Sequence, residues 1–332
     1  MKTQRNLERN LALDVVKGIC VFGMVVHHSI EYFPTEALQL KYFRFISGAF
    51  LFMAGFVSTS IYFSRFDPSS QSNRIAARLI YRGIRILIIL ALINMTMLMV
   101  PGISEKAGRL SPAMYAYTFF WAGTYRDVSF ALLVPIGYVL IVVGLCALAL
   151  KSRVRLLPYG AAGIFCYCWA NHFSQETGYY LRYFSIGFVG AACGLLPIER
   201  INRVCENLGA ISLAFLALLF AIAYLPFNYP FYTLSVVVSL MFLYAMGMKM
   251  PLSDWAVQKA VFIGNYTLIA YLAQILILRA VSVLTREQSH PEWRTVEAMV
   301  ATTLIMTAFV WVLDTLRKKV KAVDDLYRAV FA

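Results

Sequence analysis

The stretch LALDVVKGICVFGMVVHHSIE, Leu11–Glu31, decides the fold class. It supplies about the 20 mostly apolar residues a helix needs to cross the hydrocarbon core, yet it carries Asp14, Lys17, His27 and His28. Lipid cannot satisfy open backbone polar groups, so a segment of this kind spans as a helix. Working outward, comparable runs follow at Tyr42–Phe63, Leu79–Val100, Val128–Leu150, Leu156–Asn171, Tyr179–Pro197, Leu208–Leu225, Pro230–Gly247, Lys259–Val281 and Thr295–Leu316. They do not alternate apolar and polar residues as porin strands do. Over its 332 residues the chain is 60% hydrophobic and 14% charged, whereas soluble domains average about 25% charged. The expectation is an all-α, polytopic integral membrane protein with about ten transmembrane helices, formed as a single domain over residues 1–332.

A net charge of +13 raises the question of nucleic acid, and the distribution of the charge answers it. With the N-terminus inside, twenty-one of the 30 Lys/Arg residues fall on inner loops and ends. Excess Lys/Arg on cytoplasmic loops is the orienting signal of membrane proteins. Both termini are therefore expected in the cytoplasm, and no nucleic-acid partner is expected. The basic, amphipathic tail, residues 317–332, suits an anionic inner leaflet, with membrane lipid as its partner. Asp14, Lys17 and the histidines interrupt the first span, and no small-residue cleavage site follows, so it does not read as a cleaved signal peptide. Cys166 and Cys168 lie two apart on a helix and point to different faces, so they read as packing residues. No metal site and no cofactor are expected.

Charged groups at membrane depth are costly and mark function. Lys17 and His28 are eleven residues apart, within ~20° of one line along the helix and ~16 Å apart along it. Asp14 falls within ~40° of the same line, and His27 points ~100° away from His28. Asp14 and Lys17 also have the i, i+3 spacing of an ion pair. A second cluster opens the third span, where Arg78, Arg82 and Arg85 recur at i, i+4 and i+7 on one face. Such a stripe reads either as an anion cradle, since guanidinium forks bind phosphate well, or as ordinary inner-side charge. In the ninth span, Tyr266, Thr267, Tyr271 and Gln274 offer polar groups for substrate or for interhelical hydrogen bonds. Arg182 opens the sixth span, and His172 lies just outside the fifth. Met114–Ala122 is aromatic-rich and too short to span.

LALDVVKGICVFGMVVHHSI resembles the opening span of the acyltransferase-3 family within the transmembrane acyltransferase superfamily. That span begins Leu-Asp, continues with a basic residue and Gly, and places a His eleven residues after the basic one. Here these are Leu13, Asp14, Lys17, Gly18 and His28. FISGAFLFMAGFVSTSIYF, IYRGIRIL, RYFSIGFVGAACGLL and IGNYTLIAYLAQILIL resemble further spans of the family, in order. FLFMAGF and the Met24 position also resemble the heparan-α-glucosaminide N-acetyltransferase branch. Lys17 stands where the family usually has Arg, Gln274 where it often has His, and Ala54 where Ser is usual.

The resemblance implies an enzyme of the bacterial inner membrane that moves an acyl group, acetyl above all, from cytosolic acyl-CoA. The acceptor would be a hydroxyl or amine of a glycan, a lipid-linked sugar or another cell-envelope molecule. The donor's phosphates would favour Lys17, Arg78, Arg82 and Arg85, with Asp14, Tyr266, Tyr271, Gln274 and Arg182 in support. A hydroxyl is a poor nucleophile near neutrality and needs a base, and imidazole suits that role. His28 is the first choice and His27 the reserve. Asp14 lies about 21 Å along the helix from His28, so a residue of another span is expected to orient the imidazole. The competing reading is a carrier or exporter of an anionic or glycolipid solute, against which stand the lack of a detectable repeat and of Gly/Pro-broken paired spans.

Overall fold

A computed structural model describes residues 10–33, 40–62, 72–97, 111–117, 120, 130, 132–149, 156–170, 175–225, 229–251, 253–284 and 291–331. The regular structure among them is helical. In chain order the α-helices are α1 (Leu11–Tyr32), α2 (Phe45–Val57), α3 (Ser72–Met97), α4 (Pro112–Tyr117), α5 (Leu133–Ala149), α6 (Leu156–Ala170) and α7 (Gln175–Cys193). There follow α8 (Ile198–Glu206), α9 (Leu208–Tyr224), α10 (Tyr229–Lys249), α11 (Trp255–Asn265), α12 (Thr267–Leu284), α13 (Pro291–Lys319) and α14 (Lys321–Phe331). A 3₁₀ turn, Leu40–Phe43, precedes α2, and a π-helical turn, Ser58–Tyr62, extends it.

Three helices are long and apolar enough to cross a membrane, Leu11–Tyr32, Tyr229–Lys249 and Arg294–Lys319. The number rises to five if two bent pairs each count as one span. One of those pairs corrects the sequence reading. The expected ninth span is broken at Tyr266 and bends by 90° between Trp255–Asn265 and Thr267–Ser282. Tyr180–Cys193 and Ile198–Glu206 meet at 97° around Pro197. At the first break Gly264 and Asn265 are weak helix formers. The Thr267 hydroxyl donates to the Gly264 carbonyl at 2.6 Å, satisfying a group the broken helix leaves open. So Thr267 serves the bend rather than a neighbouring helix, and the argument from unbroken spans against a carrier does not hold. Of the aromatic segment 114–122, residues 114–117 belong to α4; most of the rest, and His172, lie outside the described residues.

The chain divides into two compact units, Met1–Ile46 with Asn202–Val312, and Ser47–Ile201 with Leu313–Ala332. In the first, α1 is the central helix and packs against α10, α11 and α12. Its middle, Val21, Met24 and Val25, has no exposed surface. The Asn10 side chain caps it by accepting from the Leu13 N–H at 3.1 Å. Its amide also donates to the Tyr244 hydroxyl at 2.7 Å, which in turn donates to Asn202 at 2.8 Å. The other end stops where the Phe33 N–H closes on Ser29, one residue before Pro34, which disfavours further helix. The Thr295 hydroxyl donates to the Phe33 carbonyl at 2.7 Å and ties α13 to this end. Where α1 crosses α11, backbone lies on backbone. A Cβ on Gly18 would overlap the Ala260 carbonyl oxygen, and one on Gly264 the Asp14 carbonyl oxygen. Small residues that let helices approach this closely are the means of helix association in lipid.

In the second unit α3 packs against α5, and α7 against both α5 and α6. The Thr59 hydroxyl reaches the Ala191 carbonyl of α7 at 2.7 Å. α14 lies beside α3. Residues 317–319, expected in the tail, form the last turn of α13, and the chain turns at Val320. The corner is held by Arg317, whose Nε and Nη2 donate to Asp324 Oδ1 at 3.0 and 2.7 Å. Its guanidinium lies 3.5 Å over the Tyr327 ring, and Arg328 pairs with Asp324 Oδ2 at 2.7 Å. The hydrogen bonds from Arg317 hold the Asp324 carboxyl below its ordinary value of 3.8. A carboxyl with a depressed folded value contributes fully above its unfolded value and loses that contribution as pH falls through the folded one. At pH 7, Asp324→Asn is expected to speed hydrogen exchange across α14. The difference from wild type should close only below pH 3.8; equal exchange at pH 7 would show that the pair does not hold the corner.

Candidate active site

The first unit gathers titratable side chains at the C-terminal end of α1. His28 Nδ1 lies 3.1 Å from Glu31 Oε2. An ionised carboxylate only accepts, so this hydrogen bond places the imidazole proton on Nδ1 and leaves a lone pair on Nε2. The His28 side chain is 17% exposed, and Nε2 is sealed from solvent with no hydrogen-bond partner among the described residues. Glu31 is the residue the sequence reading missed. It expected the orienting group on another span, whereas the carboxylate is one turn along the same helix, at the i, i+3 spacing that puts two side chains on one face. In sequence Glu31 closes the apolar run, a position that hides its pairing with His28.

From α12, the buried ring of Tyr271 faces His28, with centroids 6.3 Å apart. Gln274 is three residues on and shares that face. It is fully buried, and both amide atoms lack a hydrogen-bond partner among the described residues. Leaving a buried polar group unsatisfied costs about 1–3 kcal/mol, and such groups in a native fold mark a site with work to do. His27, though adjacent in sequence, brings its ring to 5.4 Å from that of His28. Its Nδ1 is also without a hydrogen-bond partner among the described residues.

Lys17 Nζ is paired with Asp14 Oδ1 at 3.2 Å, the ion pair that the i, i+3 spacing allowed. It sits about 16 Å along α1 from His28. Tyr266 is buried at the break between α11 and α12, with its ring 5.6 Å from Phe262. Arg78, Arg82 and Arg85 belong to α3 in the second unit, the first two exposed and Arg85 half-buried. Arg182, half-buried on α7, belongs to the second unit as well.

An all-helical chain with apolar helices of membrane length defines a multi-pass integral membrane protein, and its first helix carries an imidazole beside a carboxylate. The family of the acyltransferase domain, acyltransferase-3, matches residues 10–315, and the chain belongs to it. It is a membrane acyltransferase and an enzyme. No curated protein matches it with significance.

Proposed function

We propose that the chain transfers an acyl group, acetyl above all, from cytosolic acyl-CoA to a hydroxyl or amine of a glycan, a lipid-linked sugar or a similar cell-envelope acceptor. The observation that carries the reading is the His28 imidazole, with Nδ1 held by Glu31 and Nε2 unpartnered. Nε2 takes the proton of the acceptor hydroxyl as its oxygen attacks the thioester carbonyl. Glu31 stabilises the imidazolium that forms. The C–S bond then breaks, the sulfur leaves as thiolate, and the proton passes from Nε2 to it. Tyr271 and Gln274, on the α12 face toward His28, are the groups to position the reacting carbonyl or acceptor. Arg78, Arg82 and Arg85 have the chemistry to hold the donor's phosphates. Lys17 is a lesser candidate for that role, because Asp14 already engages its ammonium.

About ten spans, both ends in the cytoplasm and a place in a bacterial inner membrane complete the proposal, supported by the apolar runs and by the inner-side excess of Lys/Arg. The test uses membrane vesicles containing the full chain, supplied with acetyl-CoA labelled in the acetyl group. Label is expected in an envelope glycan or lipid-linked sugar only when the chain is present. Solute flux across the vesicles without any label transfer would overturn the reading in favour of a carrier.

A further inference from the structure

We propose that His27, His28 and Glu31 form a binding site for a divalent transition metal of the Zn²⁺ class. One ring nitrogen from each histidine and one Glu31 oxygen all lie within 4.8 Å of one another. In a tetrahedral shell with bonds of about 2.0–2.1 Å, neighbouring ligand atoms stand about 3.3 Å apart. His28 Nδ1 and Glu31 Oε2, at 3.1 Å, already have that separation. The widest remaining separation, up to 4.8 Å, must close by about 1.5 Å to reach that edge, a movement asked of the His27 side chain. Two imidazoles and a carboxylate, with the fourth position open, are a donor set zinc uses in proteins. Imidazole selects Zn, Cu and Ni over the oxygen-seeking Mg and Ca.

A second observation points the same way. His27 Nδ1 is sealed from solvent and without a hydrogen-bond partner among the described residues, a nitrogen whose lone pair is a candidate for metal, while His28 would bind through the Nδ1 that faces Glu31. Glu31, with 57% of its side chain exposed, gives an ion a way in from water and supplies negative charge to receive it. The spacing places both rings beside Glu31, at i, i+4 and i, i+3, even though the two histidines themselves diverge by ~100° about the helix.

One consequence rests on the base assignment under Proposed function. A metal-bound imidazole has one nitrogen on the metal and its proton on the other, so it has no lone pair left to accept a proton. Metal occupancy and acyl transfer should therefore exclude each other, which makes the site inhibitory.

The experiment titrates Co²⁺, whose visible ligand-field bands report coordination, into the purified, metal-stripped full chain in detergent. Wild type is expected to show one saturable site that Zn²⁺ displaces. Loss of an outer-shell partner alone weakens metal sites about 10–100-fold, so His27→Ala and Glu31→Gln should each weaken Co²⁺ binding at least about 10-fold. Gly160→Ala, where a Cβ meets nothing within 4 Å, should leave it unchanged. Absence of a saturable site, or equal binding in wild type and His27→Ala, overturns the proposal. Turnover is read separately, with and without Zn²⁺. Binding that depends on His27 and Glu31 but leaves acyl transfer untouched supports the metal site and overturns His28 as the base.

Discussion

Replacing His28 with alanine is expected to lower acyl transfer about 10²–10⁴-fold, the contribution a positioned general base makes, while the protein stays at normal abundance in the membrane. The structure gives the reason for both halves. Nε2 is the atom with an open lone pair, and Glu31 holds the ring by Nδ1. Truncation removes the imidazole together with its unsatisfied nitrogen and leaves Glu31, more than half exposed, to be hydrated. No buried charge is orphaned, so the cost that remains is the cavity left beside Tyr271. Glu31→Gln probes the same pair more gently. A hydrogen bond to a charged group contributes about 1.5–3 kcal/mol, and with Glu31 this exposed the lower figure applies, about 10-fold in rate. The loss should fall on kcat, with the KM for the donor unchanged. The measurement is labelled-acetyl transfer in vesicles, normalised to protein abundance. Wild-type turnover by His28→Ala would remove the base assignment.

Gly18→Ala should do the opposite and deplete the protein itself. The added Cβ would meet the Ala260 carbonyl oxygen, carbon and Cα. These are backbone atoms of α11, so no side chain can swing aside, and the two helices must separate. The cluster of Val15, Val257 and Ala260, with Ile19, Met250 and Val261 against it, would open with them. Overpacking typically costs about 1–3 kcal/mol and more when relief must come from backbone. Alanine recovers at most about 1 kcal/mol of helix propensity. Against a total stability of about 5–15 kcal/mol, a several-fold fall in membrane abundance is expected, together with a lower Tm in detergent. Gly160→Ala is the control, because a Cβ there meets nothing within 4 Å, and it should be neutral or slightly stabilising. Gly18→Ala at wild-type abundance and Tm would show that α1 and α11 are less closely packed than described.

Together the two variants separate the parts of the motif that runs from Asp14 to His28. Gly18 serves packing, His28 carries the proposed chemistry, and Lys17 pairs with Asp14 at 3.2 Å. In sequence all of them are simply unusual residues within an apolar run, and spacing ranks them alike.

The sequence by itself determined the helical class, the membrane setting and the acyltransferase family, because each rests on composition, run length or local order along the chain. It also placed His28 ahead of His27, although by a stripe with Lys17 that the structure assigns to an ion pair. Tertiary structure alone decided that Tyr271 faces His28, that the Gln274 amide is buried without a partner, and that the expected ninth span turns through 90°. It also decided that Glu31, at the edge of the first span, turns back onto the imidazole. The physical reason is that hydrophobicity and periodicity record which face of a helix avoids water. They do not record which rotamer a side chain takes, where two backbones touch, or which polar atom is left without a partner once the helices have packed.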